Sequence, residues 1–361
     1  MLTVKRVALP LALLLFILSV TTIQSLEQNG NTISSYGMVN SATHKLWWGA
    51  GVADTMWGPP WGGFFCRTQI DILKQSGATA VRIMLDKRPW DTNDTSNILG
   101  LKYRDYVKQL VAWCKPELKV QLDLSKDSSQ WTDDYGWAQK KAIIETPALR
   151  TAWINWGKAV ISHCNPDAIG LMGEPGGDGQ TTTFNYYYDN FVIPSLNAYR
   201  AVDPNIIVFV MPMPFHDLSG FVTRPINDDK AIYEYHFYYN PKITSASQVQ
   251  LDMLDAYAKG DLVAAKGYLF DYFDWKFSGL PKDRINIGEL GVLGMTGDDP
   301  SSILTNWRAF MQDCYDYVEQ QQLQGLFQFG ITKKYYCMLG PGTNYTELTP
   351  YGELWAQNCP V

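Results

Sequence analysis

Eight short apolar runs, most of them followed by a segment of helical character, divide the chain from residue 47 onward. They are WWGAGVA (47–53), TAVRIML (79–85), LKVQLDL (118–124), AIGLMGE (168–174), IIVFVM (206–211), AIYEYHF (231–237), INIGE (285–289) and QGLFQFG (324–330). Each is rich in β-branched or aromatic residues, as strands are. Helix-like segments lie between most of them, among them 66–77, 146–164 and 299–321, the last opening on an acidic pair, Pro and Ser. The connection 212–230 is poorly helical. Strands alternating with helices build a parallel sheet, and unbroken apolar runs mean strands buried on both faces. Eight such units predict an α/β fold, a single-domain (β/α)8 TIM barrel. An open doubly wound sheet is the alternative, but its G-x-G-x-x-G turn is absent after the first strand.

The N-terminus sets Lys5 and Arg6 before VALPLALLLFILSV, 14 apolar residues. That length suits the core of a signal peptide and is short for a membrane span, so residues 1–25 are read as a cleaved signal, with an uncleaved anchor as the alternative. Residues 26–45 form an irregular lead-in, and 46–361 the barrel. The mature chain is then secreted, extracellular, outside any membrane and, by expectation, monomeric. A net charge of -6 with scattered Lys and Arg excludes a nucleic-acid partner. Six cysteines in an exported chain suggest disulfides, laid out as Cys66–Cys337, Cys114–Cys164 and Cys314–Cys359. Asn93 and Asn344 open glycosylation acceptor triplets.

In a barrel the C-terminal strand ends carry the chemistry. Glu174 closes strand four and Glu289 closes strand seven, which face each other across the mouth. Two facing carboxylates suit glycoside hydrolysis, one protonated to assist the leaving oxygen and one ionised to attack the anomeric carbon. Pro175 and Gly176, Gly177 and Gly179 turn the chain away, and apolar neighbours such as Met172 are expected to raise the pKa of Glu174. On position alone, two unrelated surface glutamates would read the same way. His236 and Tyr238 share one face of strand six, with Glu234 deeper in the same phase. His236 by itself also reads as a core histidine. Arg82 sits in a buried strand and needs an anionic partner, in the cleft or in a purely structural pair.

These residues together resemble glycoside hydrolase family 5, the cellulase and mannanase family. GATAVRIML with Arg82, LMGEP with Glu174, EYHFYYN with His236 and Tyr238, and NIGELG with Glu289 occur in the family's order across residues 46–357. The resemblance implies a retaining mechanism on β-linked sugars without metal or organic cofactor. It makes Glu174 the acid/base, Glu289 the nucleophile, and Arg82, His236 and Tyr238 supporting residues. Three departures stand out: Gly173 where the family has Asn before the acid/base, Asp123 and Ser125 at the end of strand three where an acid–His pair is usual, and Phe327 or Phe329 for the Trp of strand eight.

Aromatic residues make up 14% of the chain. Trp57 and Trp61 in the first loop, Trp90, Trp131 and Trp137 past strands two and three, and Phe329 are the sugar-stacking candidates, though any one could instead be packing. Other chemistries find less support. No G-x-S-x-G or H-E-x-x-H occurs, and only GVLGMTGDD (291–299) offers a phosphate-loop candidate. The expectation is a secreted retaining β-glycosidase on plant-type polysaccharide, best read as an endo-β-1,4-glucanase. β-Mannanase, exo-β-glucosidase and a non-catalytic sugar-binding barrel are the alternatives.

Overall fold

Parallel strands β1 (Gly49–Val52), β2 (Ala80–Asp86), β3 (Lys119–Lys126), β4 (Ala168–Gly170), β5 (Ile207–Val210), β6 (Ala231–Tyr239), β7 (Ile285–Val292) and β8 (Gly325–Phe329) pair in sequence order. β8 returns to β1 and closes the barrel. The computed structural model describes residues 49–52, 67–93, 101–127, 137–176, 182–214, 217–240, 247–292, 304–329 and 347–359. The signal segment, the lead-in, Trp57, Trp61, Trp131, Cys66 and Cys337 lie outside the described residues. No helix among the described residues is long and apolar enough to cross a membrane.

Alternation along each strand sorts side chains into two compartments. Val81, Ile83 and Leu85 of β2, Val120, Leu122 and Leu124 of β3, and Val208 and Val210 of β5 point outward into one large core beneath the helices. Ala80, Ala168, Ile207, Phe209, Ile232 and Phe327 point inward and form a separate apolar plug. Burial on both faces explains why β5 reads as an unbroken apolar run. The helix Pro147–Cys164 illustrates the outer layer. Pro147 occupies its first turn, where a missing N–H costs nothing, and it ends at Asn165 in the left-handed conformation, φ 50°. Its buried residues Trp153, Trp156, Val160 and Ile161 fall at helical spacing on the barrel side.

Three expectations need correction. β4 ends at Gly170, not at residue 174. Leu171 N–H still donates to Phe209 O and Gly173 N–H to Leu124 O, each at 3.0 Å, so the chain stays tied to both neighbouring strands as it leaves the ladder. The helix expected over 299–321 is described from Trp307 to Gln320, and its acidic-Pro-Ser opening lies outside the described residues. No disulfide joins the four described cysteines: Cys114, Cys164, Cys314 and Cys359 are buried thiols. The Cys114–Cys164 and Cys314–Cys359 pairings therefore do not form here. Burial pushes the thiols of Cys114 and Cys164 up to about 12, and they pack as small apolar groups. Among its described residues, the weakly helical connection 212–230 carries only the short helix Ser219–Thr223, in keeping with its composition.

Candidate active site

Above the apolar plug the barrel interior turns polar. Arg82 of β2 is fully buried on the axis, and three carboxylates surround its guanidinium. Nη2 donates to Asp123 Oδ2 of β3 at 2.8 Å and Nη1 to Glu289 Oε1 of β7 at 2.6 Å, while Nε lies 3.4 Å from Glu234 Oε1 of β6. Burial alone would lower the Arg82 pKa, but the charges of Asp123, Glu234 and Glu289 overcome it and raise it. A buried arginine with three anionic partners is a permanent fixed charge beneath the mouth. The remaining donors complete the layer. Gln121 Nε2 donates to Glu234 Oε2 at 2.9 Å and Ser125 Oγ to Asp123 Oδ2 at 2.6 Å. Gln121, Asp123 and Ser125 alternate along β3 and so face inward together.

Glu289 and Glu174 stand on this layer. β6 and β7 slip register between Tyr235 and His236, and this bulge pairs His236 with Glu289. Glu289 is thus held inside β7 rather than at its end. Its Oε1 takes Arg82, and its Oε2 accepts the Tyr238 hydroxyl. Glu174 lies four residues beyond β4 in a left-handed backbone, φ 45°. That conformation costs a non-glycine residue about 1–3 kcal/mol and persists only where the surroundings enforce it. Met211 Sδ accepts the Glu174 N–H at 3.1 Å, and His236 Nδ1 lies 3.0 Å from Oε1.

His236 connects the two glutamates. Nδ1 also lies 3.4 Å from Glu289 Oε2, and Nε2 lies 3.2 Å from Glu234 Oε1. Burial disfavours the charged ring. The charge of Glu289 and hydrogen bonds to Glu174 and Glu234 outweigh that and the opposing charge of Arg82, so the pKa rises to about 9. Burial likewise works to raise the Glu174 carboxyl. The hydrogen bond and charge of His236, with Lys140 and Arg82 beyond, bring it down to about 2. This reverses the effect expected from Met172, which is buried in the outer core. In the resting protein the proton of this pair sits on the imidazole.

One oxygen each of Glu174 and Glu289 and one His236 nitrogen all lie within 4.8 Å of one another. The trio has the spacing of a metal site. Arg82 and the imidazolium already supply cationic donors to both carboxylates, so a further cation would enter against two fixed positive charges. The same closeness suits a sugar carbon held between two carboxyl groups, since a retaining pair stands about 5–5.5 Å apart.

The cellulase model of glycosyl hydrolase family 5 matches residues 26–324. The chain belongs to glycosyl hydrolase family 5. No curated protein matches it in sequence. Solved structures share the fold at low identity. Thermotoga maritima Cel5A in complex with mannotriose is 14% identical, with a TM-score of 0.58 over 88% of this chain and 98% of that one. An endocellulase from Pyrococcus horikoshii in complex with cellotetraose is 14% identical, with a TM-score of 0.56 over 80% and 85%. The cellulose synthase subunit Z of Clostridioides difficile is 17% identical, with a TM-score of 0.53 over 86% and 99%.

Within family 5, the departures seen in this sequence prove to be linked. A β-carbon on residue 173 would stand 2.8 Å from Asp123 Oδ2, and one on residue 170 would stand 2.0 Å from Asp123 Oδ1. The Asp123 carboxylate thus fills space that side chains at 170 and 173 would need. Phe327 belongs to the apolar plug, so it lies too deep to replace a mouth tryptophan, while Phe329 is the last residue of β8.

Of the stacking candidates, Trp90, Trp137 and Phe329 fall among the described residues. Trp90 is a correction: it is 3% exposed, edge-on to His163 at 5.8 Å, with Arg104 5.5 Å from its ring centre. It belongs to the helix Lys87–Thr92, turned to its buried side, and offers no open face. Trp137 is partly exposed and begins the helix Trp137–Glu145, whose Lys140 acts on Glu174. Sequence reading missed Lys140 and Gln121. Gln121 was discernible from its two-residue phase with Asp123, whereas Lys140 lies on a helix whose approach to Glu174 only the fold sets.

Proposed function

We propose that this protein is a secreted, retaining β-glycoside hydrolase that cleaves β-1,4-glucan chains internally. The observation that carries the reading is the approach of Glu174 and Glu289, with one oxygen of each within 4.8 Å of the other and both facing Nδ1 of His236. At that spacing Glu289 attacks the anomeric carbon directly while Glu174 protonates the leaving oxygen. Water then attacks the glycosyl-enzyme from the same face, with Glu174 as base, and the product keeps the β configuration. Arg82 and Tyr238 orient one oxygen each of Glu289, which leaves the carboxylate a single line of attack.

Export is part of the proposal and rests on residues 1–25, with two cations ahead of an apolar core. A mannan-cleaving activity is the second reading, favoured by the mannotriose complex of the Thermotoga maritima relative. Purified protein should be offered soluble β-glucan, mannan and xylan, with proton NMR of the products in the first minutes. We expect release of oligosaccharides from β-glucan with the β-anomer accumulating first. Early accumulation of the α-anomer would remove Glu289 as nucleophile. Cleavage of mannan alone would select the second reading.

A further inference from the structure

Arg82 has two close carboxylate partners, Asp123 and Glu289, without Glu234. Glu234 is nevertheless 1% exposed, and the barrel makes room for it. A β-carbon on Gly288, the residue before Glu289, would lie 2.3 Å from Glu234 Oε1, so the NIGELG stretch of β7 admits this carboxylate only because residue 288 has no side chain. Both oxygens are held. Oε2 accepts Gln121 Nε2 at 2.9 Å, and Oε1 faces His236 Nε2 at 3.2 Å with Arg82 Nε beyond at 3.4 Å. A third buried carboxylate costs desolvation energy, and what it touches besides Arg82 and Gln121 is the far side of the histidine whose near side touches Glu174.

We propose that Glu234 is a positioning residue for the reaction: it keeps a proton on Nε2 of His236, so that Nδ1 is the nitrogen that gives a proton to Glu174 and takes it back. This rests on the hydrolase reading above. As Glu289 attacks, its charge is lost into the ester bond, and with it the first electrostatic support of the imidazolium after burial is overcome. The Nδ1–H bond breaks as an O–H bond forms on Glu174 Oε1, and that proton passes to the departing glycosidic oxygen. The ring left behind is neutral, protonated on Nε2 and donating to Glu234. In the second half, the attacking water gives its proton to Glu174, which returns it to Nδ1 as Glu289 regains its charge. The sum is one water added across one glycosidic bond.

Without Glu234 the neutral ring is free to protonate on Nδ1 instead, which would leave no acceptor for the returning proton. The groups facing His236 are Glu174 beyond β4, Glu234 on its own strand, Glu289 on β7 and Arg82 on β2, with Asp123 on β3 also within electrostatic reach. Tyr238 and Lys140 act one step further, through Glu289 and Glu174. Of the carboxylates touching the ring, Glu234 alone takes no part in bond making and so stays charged through the cycle.

The chain has four histidines, so imidazole 15N NMR of the free full-length protein, assigned with His236→Gln, reads this ring directly. We expect His236 to be doubly protonated at pH 7 and to become the Nε2–H tautomer when it loses its proton near pH 9. In Glu234→Gln the titration should move down by at least ~1 pH unit, and kcat on β-glucan should fall ~10- to 100-fold with KM within about threefold. The alkaline limb of kcat should move by the same amount as the titration. Glu234→Asp keeps the charge beside Arg82 but shortens the reach to Nε2, and should lose kcat while holding the fold. An Nδ1–H tautomer in the wild-type protein overturns the proposal even if Glu234→Gln does not fold. So does a folded Glu234→Gln or Glu234→Asp whose only change is in melting temperature. The spectrum needs no substrate, so a protein inactive on every β-glycan would refute the hydrolase reading while the NMR still decides the tautomer.

Discussion

The Asp123 carboxylate lies 2.8 Å from where a β-carbon of residue 173 would be, and this makes the glycine before Glu174 a consequence of the acid on β3. Arg82 and Ser125 both donate to the same Asp123 oxygen, so the carboxylate has little freedom to withdraw. The two positions, 50 residues apart in sequence (173 − 123), are one packing unit.

Gly173→Ala should therefore destabilise the protein by about 1–3 kcal/mol, the usual cost of overfilling a packed site. Asp123→Ala removes the obstacle. Thermal or denaturant unfolding of Gly173→Ala, Asp123→Ala and the double variant should show the double losing clearly less than the sum. Strict additivity would mean that the two residues do not compete for the same space.

The two glutamates should fail in different ways. Glu289→Gln removes the attacking group and should abolish turnover on every substrate, a loss of about 10⁴-fold or more. Glu174→Ala should keep much of its activity on aryl glycosides with acidic leaving groups, which need no proton to depart. Steady-state kinetics on matched aryl glycoside and glucan substrates check this. Equal loss from both variants on both substrates would contradict the assigned roles.

The Glu174–His236 pair also makes stability depend on pH. His236 titrates at about 9 in the fold against 6.5 ordinarily, so its contribution is complete below about 6.5 and is lost as pH rises through 9. Glu174 titrates at about 2 against an ordinary 4.5, so its contribution is complete above 4.5 and is lost as pH falls through 2. Both are present in full between about pH 4.5 and 6.5. The melting temperature of the wild type should peak there relative to His236→Gln, and the difference should shrink on both sides. A difference that grows steadily toward pH 9 would show that the ring is buried neutral.

Trp90 should behave as a core residue. Trp90→Ala removes a ring that is 3% exposed and should cost about 3–5 kcal/mol, with KM on soluble glucans unchanged in the folded fraction. A raised KM with an unchanged melting temperature would return Trp90 to the sugar-binding surface.

Much of this architecture is legible in the amino-acid sequence. Alternating apolar runs and amphipathic segments specify a parallel barrel because strand and helix periodicities are local properties, and a strand buried on both faces admits few polar residues. The few that appear are therefore informative. Arg82, Glu234, His236 and Glu289 stand out because a charged group inside such a run has to find partners within the barrel.

Which partners they find was decided by the tertiary structure. The bulge between β6 and β7 sets His236 beside Glu289, and departure from β4 at Gly170 carries Glu174 over to the same ring. Both are matters of register, fixed by contacts between strands far apart in sequence. The same holds for the direction of the Glu174 shift. Its apolar neighbours predict a raised pKa, yet His236 lies 3.0 Å away across the barrel and lowers it. It holds for Trp90 and for Cys114 and Cys164 as well, whose residue types suggest a binding surface and a disulfide but whose burial makes them packing. Local sequence sets which groups must be buried; a group's charge state and role follow from what stands opposite it, because electrostatic coupling acts through space and ignores chain order.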